Sequence, residues 1–241
     1  MAKNQILAVW GSPSSGKTVT SIKIARELAS KRKNVIVVLC NSVCPTLPTL
    51  LPSVTVKSLG EVLSLPIITQ DDVIAACSLY GKSEYISLMG YVKCDNAFTY
   101  AKYSKERTVD LLVYLRSLAD YIIFDCESIL SNDSVLTYTA LEVAQNIIRL
   151  DVNDLKSTAY FQSNLPLISM PPYYADRHKR VLSGANGGLG GKADYVLPYL
   201  PSLTEQFESY KLLENLTDKE AKTYDTAISK IVDDLLMERK K

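Results

Sequence analysis

Gly11-Ser12-Pro13-Ser14-Ser15-Gly16-Lys17-Thr18 follows a short apolar run, Ile6–Trp10, and precedes a segment with helical spacing, Val19–Lys31. The octapeptide fits G-x-x-x-x-G-K-[ST], and each residue type in that pattern has a physical task. Glycine permits a tight, partly left-handed backbone path that turns successive N–H groups toward one anion. The helix that follows aims its positive end at the same point. The expectation is a phosphate-binding loop in which Gly11, Ser12, Pro13, Ser14, Ser15, Gly16, Lys17, Thr18 and Val19 hold ATP or ADP. In that reading Lys17 bridges β- and γ-phosphate oxygens, and Thr18 places its hydroxyl on Mg2+.

The surrounding chain suits this loop. Ile6–Trp10 reads as a buried strand, because it is short, wholly apolar and closed by glycine. Val35–Cys40 is β-branched and apolar throughout, as a strand covered on both faces should be. Strand, helix and strand in succession make a βαβ unit with a parallel sheet. Further strands are expected at Val54–Val56, Tyr85–Met89, Tyr121–Phe124, Asn146–Leu150, Arg180–Leu182 and Ala193–Pro198. Helices are expected at Ser58–Leu63, Asp71–Leu79, Ser104–Ala119, Ser134–Ala144, Asn153–Asn164, Leu203–Asn215 and Lys219–Glu238. The alternation runs through the whole chain, so residues 1–241 read as one α/β domain, a three-layer αβα sandwich around a mostly parallel twisted sheet.

Composition bounds the function. The chain has 241 residues, 47% of them hydrophobic, enough for one sizeable core. Its 27 basic and 26 acidic residues leave a formal charge of +1, which gives no electrostatic case for nucleic acid as the main partner. Five scattered cysteines read as reduced thiols in a cytosolic protein. The first residues do not read as a signal peptide, and no stretch approaches transmembrane length, so a cytoplasmic location is expected.

A second chemical element is Asp120-Tyr121-Ile122-Ile123-Phe124-Asp125. Four apolar residues lead to an aspartate at a strand's C-terminal end, the edge where open α/β sheets collect ligands. Asp125 is expected to hold Mg2+ through water, and with Lys17 to serve phosphoryl transfer.

Together these elements resemble the MinD/ParA group of P-loop ATPases, whose P-loop lies at the N-terminus. Two later stretches add to the likeness. IIRLDVNDLKSTAYFQ, from Ile147, and ADYVLPYLPSLTEQFESYK, from Ala193, are similar to segments of pilus-associated, TadZ/CpaE-like members. The resemblance implies ATP-dependent homodimers that position partition, division, pilus or secretion machinery. It also implies recruitment of a cytoplasmic protein to the membrane or a cell pole by its partners. In such proteins a lysine directly after the first loop glycine reaches the partner subunit's phosphates; here that position is Ser12. The family's second strand ends in Asp-x-Asp, and the ungapped count from Lys17 puts Leu39 and Asn41 there. Asn41, the candidate for the catalytic water, can hydrogen-bond water but cannot take its proton. Glu127 is a candidate for the missing negative charge, against a solvated loop glutamate. These changes imply nucleotide binding with slow hydrolysis; the alternative is a non-hydrolysing scaffold of the same fold.

Asn186 stands where the family uses an asparagine to read adenine, against a plain turn residue. It belongs to a glycine-rich tract, Ser183–Lys192, expected as a surface connection. Asp176–Arg180 reads as a solvated basic loop; a P-loop kinase would need Arg177 or Arg180 as its lid. The apolar stripe Ile228, Ile231, Val232, Leu235 and Leu236 is expected to pack on the sheet rather than on a membrane.

Overall fold

A computed structural model describes residues 5–185 and 192–238. Its strands are β1 (Gln5–Gly11), β2 (Val35–Leu39), β3 (Ser78–Leu79), β4 (Ile86–Gly90), β5 (Tyr121–Asp125), β6 (Asn146–Val152), β7 (His178–Ala185) and β8 (Tyr195–Pro198). They form one sheet in the order β3-β4-β2-β5-β1-β6-β7-β8. Only β3 pairs antiparallel among the described strands, at the outer edge of β4. The order places β1 between β5 and β6, with β2 beyond β5. The chain reverses direction across the sheet here, which opens a crevice at the C-terminal end of β1.

Alternation along the strands builds the three layers. Leu7, Val9, Val35, Val37, Leu39 and Ile123 face one side and pack on α1 (Lys17–Ser30) and α9 (Ala221–Glu238). Ile6, Ala8, Trp10, Ile36, Val38 and Phe124 face the other. That second side is covered by α3 (Leu59–Ser64), α5 (Lys105–Leu118), α6 (Val135–Val143) and α7 (Leu155–Asn164). The expected αβα sandwich is therefore present. Ile228, Ile231, Val232 and Leu235 are buried against the sheet, as the apolar stripe required.

Several expectations are corrected. Val54–Val56 forms no strand; both valines lean on the core, but β3 already occupies the hydrogen-bonding edge of β4. The helix expected over Asp71–Leu79 is α4 (Gln70–Ala75), opened by a Thr69–Asp72 capping box, and its last residues become β3. The helix expected from Leu203 starts earlier, at Pro201, as α8 (Pro201–Glu208). It stops because the chain turns at Tyr210, with φ 61°, and Leu212 enters the core. A one-turn α2 (Leu47–Leu50) sits between Pro45 and Pro52, with Pro48 in its first turn. The largest correction is β7. Arg180–Leu182 looked like a weak strand, and His178–Arg180 like solvated loop, yet both belong to an inner eight-residue strand. The Arg180 guanidinium is tolerated there because it donates to Asp151 Oδ2 on β6 at 2.5 Å.

Candidate functional site

The loop between β1 and α1 has the geometry its residue types require. Gly16 takes φ 84°, a left-handed conformation at the entrance of α1. A Cβ on Gly11 would lie 2.3 Å from the Leu150 carbonyl oxygen of β6, so only glycine fits. Ser14 also has positive φ, 59°, a strained value for a residue with a side chain, of the kind that clusters at ligand-binding turns. Inside the loop, the Ser15 N–H donates to the Ser12 carbonyl at 3.3 Å.

Lys17 and Thr18, the first residues of α1, both turn toward the C-terminal end of β5. The Thr18 hydroxyl donates to Asp125 Oδ2 at 2.6 Å. The Lys17 ammonium donates to the Ser12 carbonyl at 3.1 Å and to Ser128 Oγ at 2.5 Å. Burial lowers the Lys17 pKa, while the Asp125 carboxylate opposes this. Asp125 is 5% exposed, and its other oxygen, Oδ1, has no hydrogen-bond partner. Desolvation raises its pKa to about 6, against the pull of the Thr18 hydroxyl, the Lys17 ammonium and the nearby Ser21 hydroxyl. An unpaired carboxylate oxygen in such a place is costly. Beside a threonine hydroxyl it fits Mg2+, which keeps most of its waters and takes its other ligands from phosphate.

Two cavities flank the loop. One, of about 410 Å³, has Ser14, Gly16 and Val19 on one wall and Leu200, Phe207 and Tyr224 on another. It is largely apolar beside a phosphate-binding turn, which suits the base and sugar of a nucleotide. The second, of about 210 Å³, is lined by Pro13, Ser14, Lys17, Asn41, Glu127 and Ser128 among others. Lys17, Asn41 and Glu127, distant in sequence, therefore meet on one cleft. Burial raises the Glu127 pKa, and the Ser134 hydroxyl works against it. Asn41 Oδ1 is already engaged, accepting N–H bonds from Val43 at 3.1 Å and Cys44 at 2.8 Å. Ser12 is buried, its hydroxyl donating to Ser157 Oγ at 3.1 Å within the same chain.

Asn186 lies outside the described residues, as does the tract from 186 to 191; Ser183 and Gly184 before it line the larger cavity. Arg177 and Arg180 do not form a lid. The Arg180 guanidinium is held by Asp151 of β6, and it is Ser183, further along β7, that lines the cavity beside Gly16. Arg177, before the strand begins, donates to the carbonyls of Glu142, Ala144 and Pro172. Sequence reading missed Ser128, Ser157 and Tyr160, which touch the loop residues or each other only through folding. It also leaves the aromatic wall of Phe207 and Tyr224 unassigned, although Phe207 lies in the segment from Ala193.

Neither a family profile nor a curated protein sequence matches the chain. Solved structures do. A ParA family ATPase from Chlorobium tepidum superposes with a TM-score of 0.74 at 16% identity, over 95% of this chain and 98% of that one. The septum site-determining protein MinD of Pyrococcus horikoshii, complexed with Mg-ADP, gives 0.71 at 14%, over 96% of both chains. MinD in the MinC:MinD cell division complex of Aquifex aeolicus gives 0.73 at 14%, again over 96% of both. The chain has the fold of the MinD/ParA-type P-loop ATPases.

Proposed function

We propose that this protein binds ATP with Mg2+ at Gly11–Thr18 and acts as a nucleotide-dependent, dimerising switch that hydrolyses slowly. The observation that carries the reading is the conjunction at the end of β5: the Thr18 hydroxyl on Asp125, an unpaired Asp125 oxygen, and the Lys17 ammonium on the smaller cleft, with a nucleotide-sized cavity on the other flank of the loop. When bound, Mg2+ supplies charge neutralisation across the phosphates. The chain's own residues divide the rest. The loop amides and the α1 N-terminus hold phosphate, Lys17 meets the terminal oxygens, and Val19, Leu200 and Phe207 exclude water from the nucleoside.

Slow hydrolysis follows from the water side of the site. Asn41 is committed to its own turn, and among the described residues Glu127 is the one carboxyl lining that cleft. A cytoplasmic switch of this kind, recruited by a partner, would serve partition, division, pilus or secretion machinery. The MinC:MinD complex is a solved example of the same fold with a partner bound.

A second reading, a nucleotide-binding scaffold that does not cycle, is favoured by Ser12. Its side chain points inward to Ser157 and carries no charge for a partner subunit. Light scattering of the purified chain with ATP and with ADP separates the two. A doubling of mass with ATP alone, with phosphate release well below one per minute, supports the switch. Binding without change of mass supports the scaffold, and brisk release without an acceptor sinks the slow-hydrolysis claim.

A further inference from the structure

We infer that Ser128 is a positioning residue that makes the site distinguish ATP from ADP, by holding one donor of Lys17 that only a γ-phosphate displaces. The inference rests on the nucleotide reading above and concerns how that site is regulated.

The argument is a count of donors. A lysine ammonium has three N–H groups and no acceptor. In this structure one goes to the Ser12 carbonyl and one to Ser128 Oγ, at 3.1 and 2.5 Å. One is left. A terminal β-phosphate needs one, so ADP is accommodated with both existing bonds kept. Bridging β- and γ-phosphates needs two, so ATP requires one existing bond to break. The Ser12 carbonyl belongs to the phosphate-binding loop and stays beside Lys17. Ser128 belongs to a different segment, the one that follows β5, and is the contact free to part.

Ser128 does not stand alone. It is buried, and its own carbonyl accepts the Tyr160 hydroxyl of α7 at 2.7 Å. Tyr160 packs on Trp10, the residue before Gly11, with ring centroids 5.6 Å apart. One turn earlier on α7, Ser157 holds the Ser12 hydroxyl. Helix α7 therefore grips the loop at Ser12 and, through Ser128, at Lys17. Loss of the Ser128–Lys17 bond on ATP binding loosens the second grip and leaves the first, which gives α7 a γ-phosphate-dependent contact.

Calorimetric titration of the full chain with Mg2+ and either imido-ATP, ADP or AMP tests this. Removing a hydrogen bond to a charged group that ATP must break should raise the affinity for the triphosphate about tenfold. Ser128→Ala is expected to do so for the triphosphate alone, leaving ADP and AMP unchanged. Ser128→Thr keeps the hydroxyl and should keep the wild-type ratio. Tyr160→Phe, which frees the Ser128 carbonyl, should move the ratio in the same direction by less, and it serves if Ser128→Ala does not fold. A merely structural role for Ser128 predicts equal shifts for all three nucleotides. Equal shifts, or an unchanged triphosphate-to-diphosphate ratio, overturn the inference while leaving nucleotide binding intact. A wild-type chain that binds none of the three overturns the nucleotide reading and the latch with it.

Discussion

Asp125→Asn should stabilise the nucleotide-free protein and abolish its response to Mg-ATP. The carboxyl is buried with one oxygen unpaired, and its pKa stands at about 6 instead of 3.8. A raised carboxyl pKa means that the fold prefers the protonated form. The stability this contributes is complete below the unfolded value and is lost as pH rises through the folded one. At pH 7 the wild-type chain therefore carries nearly the whole penalty. Raising the carboxyl from 3.8 to about 6 costs the ionised form up to about 3 kcal/mol. Asparagine keeps an oxygen to accept the Thr18 hydroxyl and removes the charge. Urea denaturation in EDTA at pH 7 is expected to place the variant about 1–3 kcal/mol above wild type. The gap should narrow as pH falls from 6 toward 4, where the wild-type carboxyl is protonated. With Mg-ATP at a hundred times its Kd the wild-type chain gains about 2.7 kcal/mol, most of which the variant should lose. A variant no more stable than wild type at pH 7, or a gap that does not change with pH, refutes the reasoning.

Lys17→Ala should weaken ATP binding by about a hundredfold or more, because two charge-assisted bonds to phosphate are lost; fluorescent-nucleotide titration measures it. Gly11→Ala forces a methyl group within 2.3 Å of the Leu150 carbonyl, and should cost about 2 kcal/mol or more by denaturant melt while also displacing the loop. His178 is half-buried beside Arg149 and Arg177, and desolvation first, then those charges, hold its pKa at about 4. A depressed histidine pKa gives stability that is complete above about 6.5 and lost as pH falls toward 4. His178→Gln should therefore remove about 1 kcal/mol of the acid destabilisation seen between pH 7 and pH 5, read from paired urea curves.

Strong local patterns carried most of the fold. Val35–Cys40 and Tyr121–Phe124 are continuous apolar runs, and such runs in α/β chains are strands covered on both faces. Where the local signal was weak or opposed, reading failed. His178, Lys179 and Arg180 begin β7, and three basic residues in a row do not look like an inner strand. Asp151, nearly thirty positions away, neutralises Arg180, and no window of sequence contains both. The termination of α8 at Glu208 likewise depends on where Leu212 finds a place in the core.

The same division runs through the site. The octapeptide Gly11–Thr18 specified its own shape and chemistry, because a phosphate-binding turn is built from adjacent residues whose backbone freedom and donors are local properties. The identity of their partners was not local. That Asp125 meets Thr18, that Ser128 holds Lys17, and that Ser12 turns inward to Ser157 are consequences of β5 lying beside β1 and α7 lying across Trp10. Strand order and helix packing place those side chains within hydrogen-bonding distance, and long-range packing energy, summed over the whole core, is what fixes that order.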